Sequence, residues 1–524
     1  MSLAMKEETE HQKSPKKKTR RGVFIPAFVI VGGGALLGIV NNKLLTDISM
    51  KGFIGSLQGL GWLYQIISIV ALITVSIVTF SKIGNVRLGG SEAKPKFPFA
   101  SWFAMALTGG IATGVITYGV NEPIIYFGSI YGEMAQTSIE PGTSMAAIFA
   151  MGRSLYNWTF IPYAMYSLSG LVVAYMYFNR KQQLSVSGTL TPLFGNKITK
   201  GIWPSIIDTL AVLAIALGLA SSLGAGLALI GSGIETIYGI NQGPVVWLVL
   251  VFIITGMFTL SALKGLDKGI RKMAIFNVNI FYILLILLLV IGPTLYILQS
   301  TTTGFGYWLQ NFWVWGLDSG TIGGDALVMW WTLYDWTIWV AYAPLMGIFL
   351  AIISYGRTIR QFMLINWILP AVFSILWFGV FGGTALHWQQ NNTVDLVSTI
   401  KESGAVAALW TFLANLPLAA IIIPVVMIAL ILSFATAADS MVRAIATLCT
   451  VNIRFDEEPQ KWKMLLWAIS IAIIAYVMVA FAGGAQGVDG VKYLAALGGS
   501  AVLLVFVLQV ISAIKMFFID KIEK

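Results

Sequence analysis

The sequence predicts an all-α integral membrane protein of twelve transmembrane helices. Three observations carry that prediction. The 524 residues are 57% hydrophobic and only 11% charged, against about 25% charged in an ordinary soluble protein. Twelve apolar runs reach the roughly 20 residues that a helix needs to cross a bilayer. The basic residues alternate in density between the segments that join those runs. A mean hydropathy of +0.82 over the whole length excludes a soluble enzyme with one membrane anchor, because too little polar surface is available to face water.

The twelve runs are 23–41, 60–80, 99–126, 145–178, 202–234, 245–263, 274–298, 327–353, 362–384, 416–448, 464–482 and 493–518. Several exceed one straight crossing, which implies tilt or bending. The stretch 300–317 is rich in Trp, Tyr and Phe, follows Pro293, and reads as an amphipathic surface segment. Placing the tail 1–22, every second loop and the C-terminus in the cytoplasm puts 27 of the 33 basic residues inside. Five fall outside, namely Lys43, Lys51, Arg153, Lys401 and Lys492, and Arg443 lies near the end of span ten. This is the bias that orients membrane helices, so the net charge of +10 is a topology signal and gives no footprint for nucleic acid. The run from Lys16 to Arg21 has two readings, an orientation signal for the first span or a lipid-binding patch. The N-terminal order of residues does not match a secretory signal peptide, and no long charged tail is expected after the last span.

Several chemistries are excluded early. One cysteine, Cys449, rules out a disulfide framework or a multi-cysteine metal site. Two histidines, His11 and His387, make a histidine metal cluster or a Ser-His triad improbable. No nucleotide-binding loop of the Gly-x4-Gly-Lys-Ser/Thr kind occurs. No metal or organic cofactor is expected, although coupling to Na⁺ or a proton stays open.

Polar and helix-breaking residues inside a span mark functional sites, because freed backbone groups must be satisfied within the protein. Span three places Gly109, Gly110 and Gly114 in its middle and ends on Glu122-Pro123. The glycines allow either an unwound, ligand-holding segment or close helix packing. Glu122 reads as a structural lock or part of a gate. Span eight carries Trp331, Asp335, Trp339 and Tyr342, which share one stripe at about 100° per residue. Aromatic faces bind methylated ammonium groups through their quadrupole. An interfacial aromatic belt explains Trp330 and Trp331 but not an acid on the same stripe. Span four adds Trp158, Tyr163 and Tyr166 around Pro162, as packing residues or as the rest of a cage. In span ten, Ser433, Thr436 and Asp439 either hold Na⁺ or satisfy helix backbone.

These segments together resemble the betaine/choline/carnitine transporter family. The stretch from Trp331 through Trp336, Trp339 and Pro344 to Gly356-Arg357-Thr358-Ile359-Arg360 is similar to that family's signature, and Gly119-Val-Asn-Glu122-Pro123 and Ala438-Asp439-Ser440 fall in matching order. The resemblance implies two peripheral helices within 23–81, then a LeuT-like inverted repeat of five plus five spans. Its halves are 97–298 and 324–519, joined by an amphipathic linker helix at 299–320. It also implies alternating access in the inner membrane of a prokaryote, both termini in the cytoplasm, and commonly a homotrimer with 300–317 near the subunit contacts. Trp158, Tyr163, Tyr166, Trp339 and Tyr342 correspond to the family's aromatic box, with Gly110, Gly114, Trp331 and Asp335 alongside.

Two departures stand out. Ile338 and Asp335 replace residues that are usually aromatic. Thr436 is followed by Ala437, and Ile215 and Leu219 stand where sodium-coupled relatives have threonines. Asn277 occupies the position of an arginine found in sodium-independent exchangers. The expected function is secondary transport of a quaternary or methylated ammonium solute (betaine, carnitine or choline class). The alternative is sodium-independent substrate:product exchange of the carnitine/butyrobetaine type. A channel would want a sustained polar face, and a sensor a soluble signalling domain. An enzyme would need a nucleophile with its base. None of these is visible.

Overall fold

The computed structural model describes residues 18–266, 269–320, 327–481 and 485–520, and of these it leaves out the side-chain surroundings of 110–113, 481 and 485–492. Gly110 and most of the lysine-rich tail therefore lie outside the described residues. The described chain is helical, without strands. Among the described residues eleven helices are long and apolar enough to cross a membrane, and a bent pair, Phe99–Gly109 with Gly114–Gly128, makes a twelfth at an angle of 57°. The bend falls at the glycine cluster of span three.

The spans follow the apolar runs, with three informative corrections. Span two is a 39-residue helix, Asn42–Phe80, capped where the Asn41 side chain accepts from Leu44 N. At about 1.5 Å per residue it is nearly twice the thickness of a hydrocarbon core; Lys43, Asp47 and Lys51 hid its first turns from a hydropathy reading. Span seven stops at Ile291, short of 298, because Gly292-Pro293 interrupts it. Proline cannot supply the next amide and clashes with the preceding turn. The expected surface segment is accordingly a longer helix, Thr294–Leu317, starting six residues earlier than 300. Its Leu295 and Leu298 are 69% and 56% exposed while Ile297 is buried, so apolar residues there lie along a surface and do not extend the crossing. Span nine runs further than 362–384, over Ile359–Gln390. It starts on a capping box between Thr358 and Gln361.

Burial identifies the centre. In spans four and eight, 94% of the most apolar stretch is inside the protein, against 28% in span one, 39% in span six and 44% in span seven. Spans four and eight cross in backbone contact. A Cβ on Gly347 would lie 3.1 Å from Gly170 Cα, so a larger residue there would push the two helices apart. Gly499 of span twelve likewise lies against the Thr337 carbonyl of span eight. Small residues permit this approach in membranes, where dispersion and packing drive helix association. Between spans nine and ten, two short helices, Leu396–Ser403 and Ala405–Ala414, cover one end of the bundle. Asn121 of span three donates to the Ala405 carbonyl (2.6 Å) and Trp410 donates to Leu229 O of span five (2.9 Å).

Candidate solute-binding site

Span four is interrupted at Thr159, whose φ and ψ are both −117°. The second segment, Phe160–Phe178, begins just before Pro162, where a missing amide costs little. Tyr163 and Tyr166, one helical turn apart, thereby turn toward span eight. There Trp339 stands edge-on to both rings, at centroid distances of 5.0 and 6.0 Å and interplanar angles of 72° and 88°. Rings set at such angles form a corner and leave faces uncovered by one another. Tyr342, one turn along from Trp339, shares a 2.7 Å hydrogen bond with Ser222 of span five. The Tyr163 hydroxyl pairs with Ser374 of span nine at 3.3 Å. The Tyr166 hydroxyl is buried with no hydrogen-bond partner and lies within electrostatic range of Tyr163 and Tyr342. Four spans thus contribute to one buried aromatic and hydroxyl-bearing group.

Trp158 sits further out along span four. Its ring stacks on Tyr118 and Phe378 at 5.3 and 5.8 Å, and it fills the space beside Gly114, where a Cβ would come within 2.7 Å of the ring. It therefore packs between spans three and nine and does not stack on the Tyr163–Trp339 group. Trp331 also differs from its expected place. Residues Val328–Leu333 form a π-helical segment, so the 100° spacing fails there. Trp331 points to Glu133 (3.2 Å) and packs edge-on to Tyr126 and Tyr118. π-Segments also occur in span nine at Leu364–Ile368 and Phe378–Gly382; such segments are frequent at functional sites.

Glu122 is a lock. Its carboxylate accepts from Tyr126 Oη at 2.8 Å, Asn157 Nδ2 at 3.1 Å and Trp158 Nε1 at 2.6 Å. Thr332 of span eight donates to Asn157 Oδ1 (3.0 Å) and receives from Arg153 Nη2 (2.8 Å). The counting that placed Arg153 outside the membrane is overturned: it is 1% exposed within span four, its guanidinium between the rings of Tyr156 and Trp315 at 5.2 and 5.0 Å. The alternate split becomes 27 to four. Asp335 is 6% exposed. Arg153, Glu122 and Asp335 all act on the Tyr126 hydroxyl. The π-segment and the interruption of span four brought this cluster together, and no linear spacing announced it.

At span ten the hydroxyls of Thr436 and Ser440 are turned onto their own helix. Thr436 donates to the Leu432 carbonyl, and Ser440 to the Thr436 carbonyl at 2.9 Å. Ser433 receives from Asn277 Nδ2 of span seven at 2.8 Å, while Asn277 Oδ1 is buried without a partner. Ile215 and Leu219 are buried and apolar. Asp439 joins a separate cluster with Ser261 and Arg443, and Arg443 pairs in turn with Glu458. At the other end of span three, Trp102 donates to Ser354 at 3.0 Å and lies under Arg357 at 4.6 Å, while Arg271 donates to Ser101 at 3.1 Å.

Residues 22–521 match the profile of BCCT, betaine/carnitine/choline family transporter. This chain belongs to that family. It is 30% identical to the glycine betaine transporter OpuD of Bacillus subtilis (strain 168) over 487 residues, covering 93% of this chain and 92% of the other. It is 31% identical to a probable glycine betaine transporter of Desulfitobacterium hafniense (strain Y51) over 454 residues, 86% and 88% of the two chains. A solved structure of a Na⁺-coupled sialic acid symporter is similar at a TM-score of 0.49 with 14% identity, covering 88% and 86%. The chain is accordingly a multi-pass membrane transporter of the BCCT family and not an enzyme.

Proposed function

We propose that this BCCT-family transporter carries a quaternary or methylated ammonium solute, of the glycine betaine, carnitine or choline class, by alternating access. The observation that carries the reading is the corner of Tyr163, Tyr166 and Trp339 at the crossing of the two most buried spans. A methylated ammonium has little hydration to lose, and each desolvated cation–π contact contributes about 0.5–2 kcal/mol. The partnerless Tyr166 hydroxyl and the Tyr342–Ser222 pair supply hydrogen-bonding groups for a carboxylate or hydroxyl on the same solute. Spans three to seven and eight to twelve would move against each other around this point. The positive-inside count supports both termini in the cytoplasm of a prokaryotic inner membrane. The exposed apolar residues of Thr294–Leu317, such as Trp313 and Val314, suit the lipid bilayer or the contacts of a homotrimer.

Sodium-independent exchange of substrate for product is the second reading, favoured by Ala437 beside an inward-turned Thr436. The deciding experiment uses purified protein in liposomes. Betaine, choline, carnitine and butyrobetaine are offered with and without Na⁺, with a proton gradient, and with internal substrate preloaded. Uptake of at least one methylated ammonium solute is expected. Failure of all four in every condition overturns the reading.

A further inference from the structure

A cavity of about 470 Å³ opens at the end of the molecule that carries the N-terminal tail. Three cations line it, each from a different element: Arg20 of the tail, Lys181 after span four and Arg454 after span ten. No acidic side chain is among its lining residues, although Asp456 pairs with Arg454 at 3.0 and 3.1 Å from just outside it, and Ser185, Ser205 and Asn452 add hydroxyl and amide donors. A cavity of this size takes a small ligand, and cations gathered in a concave site create a field that draws an anion.

The surrounding chain is built to hold this geometry. Val451 N donates to Lys18 O at 2.9 Å and Arg20 N to Cys449 O at 3.0 Å, so the tail pairs backbone to backbone with the segment after span ten. Arg20 also pairs with Asp208 of span five at 2.7 Å, and Asp208 in turn accepts from the Ser187 amide and hydroxyl. Two of the lining residues, Lys181 and Asn452, have positive φ, 55° and 48°. A lysine in the left-handed region is uncommon, and such backbone strain concentrates at ligand sites. Lys181 spends one of its three ammonium donors on Phe178 O. Beside the lining residues Pro204 and Ser205, span five exposes Ile202, Trp203 and Ile206, an apolar shoulder next to a cationic cleft.

We propose that this cleft binds a phosphate-bearing anion, with Lys181 as its principal charge and with Arg454 and Arg20, which the anion would share with Asp456 and Asp208, as the second and third. Bound there, the anion would compete with Asp208 for Arg20 and so bear on how the tail is strapped to spans five and ten. A free phosphate compound and a phospholipid headgroup share this chemistry. The proposal does not depend on which solute is transported.

The test uses the full chain in nanodiscs. Pyrophosphate is titrated calorimetrically into phosphatidylcholine discs, and retention of phosphatidylglycerol is measured by native mass spectrometry. The double variant Lys181→Gln/Arg454→Gln should weaken whichever binding is found by tenfold or more, while Lys181→Arg/Arg454→Lys should retain it. Pyrophosphate binding that the neutral variant loses identifies a soluble phosphate as the ligand. Phosphatidylglycerol retention alone, lost in the same variant, identifies a lipid headgroup. Absence of both, binding unchanged in the neutral variant, or equal loss in the charge-keeping variant overturns the proposal.

Discussion

The indole Nε1 of Trp158 donates to Oε2 of Glu122 over 2.6 Å. The bond ties the last residue of the first half of span four to a buried carboxylate of span three. Glu122 accepts from three side chains at once, so its removal strands several donors. Each stranded buried group costs about 1–3 kcal/mol. Glu122→Ala should therefore lower the thermal unfolding midpoint in detergent by several degrees and abolish uptake. Glu122→Gln retains an acceptor for Trp158 and should keep most of the stability. Equal midpoints for wild type and Glu122→Ala would remove the lock.

Trp339 is the shared wall of the aromatic corner. Trp339→Leu removes one cation–π face, worth about 0.5–2 kcal/mol, or about 2- to 30-fold in affinity. Betaine binding followed by tryptophan fluorescence or calorimetry should weaken within that range while the protein stays folded. Unchanged affinity would count against the corner as the solute site.

Arg153 is a buried cation near two acids. Removing one member of such a group is costly, about 3–5 kcal/mol, because the remaining charge is left uncompensated. Arg153→Met should thus be strongly destabilised. Adding Asp335→Asn should recover about 1 kcal/mol or more, a non-additivity expected only of coupled sites. The same Asp335→Asn change made alone should slow uptake of cationic choline more than zwitterionic betaine. Strict additivity of the two substitutions would show that Arg153 and Asp335 do not interact.

Asp395 caps the short helix Leu396–Ser403 through the Ser398 amide (3.0 Å) and hydroxyl (2.7 Å). The Ser398 amide first, then its hydroxyl, hold the carboxyl below the usual Asp range. A depressed folded-state value means that the cap's contribution is complete above the ordinary value of about 3.9 and is lost as pH falls through the lower folded value. Amides of 396–403 should lose protection against deuterium exchange, relative to the intrinsic rate at each pH, on acidification below about pH 4, and in Asp395→Ala that loss should be present already at neutral pH. Protection that is flat with pH in the wild type would refute the cap.

The Thr436 and Ser440 hydroxyls of span ten face their own backbone, and Ala437 offers none. Exchange of internal for external substrate should accordingly proceed in sodium-free buffer. A strict Na⁺ requirement with a Hill slope near two would eliminate this reading.

Hydropathy and charge placement determined the twelve spans and their order, because a bilayer imposes on each crossing a length and an apolarity that composition alone records; the family came from the resemblance of the motifs at 119–123, 331–360 and 438–440. That resemblance also singled out Trp158, Tyr163, Tyr166, Trp339 and Tyr342, which the residues of span four taken alone left open between packing and a cage. Tertiary structure decided which of them meet. The interruption at Thr159 and the π-segment Val328–Leu333 rotate side chains off ideal helical spacing. Trp331 turned to Glu133, Trp158 to Glu122, and only Tyr163, Tyr166 and Trp339 closed on one another. The same holds for Arg153, which a linear count takes for an outside charge. Whether an arginine faces water or is wedged between Tyr156 and Trp315 depends on the helix that packs over it, and that helix, Thr294–Leu317, lies more than 140 residues along the chain.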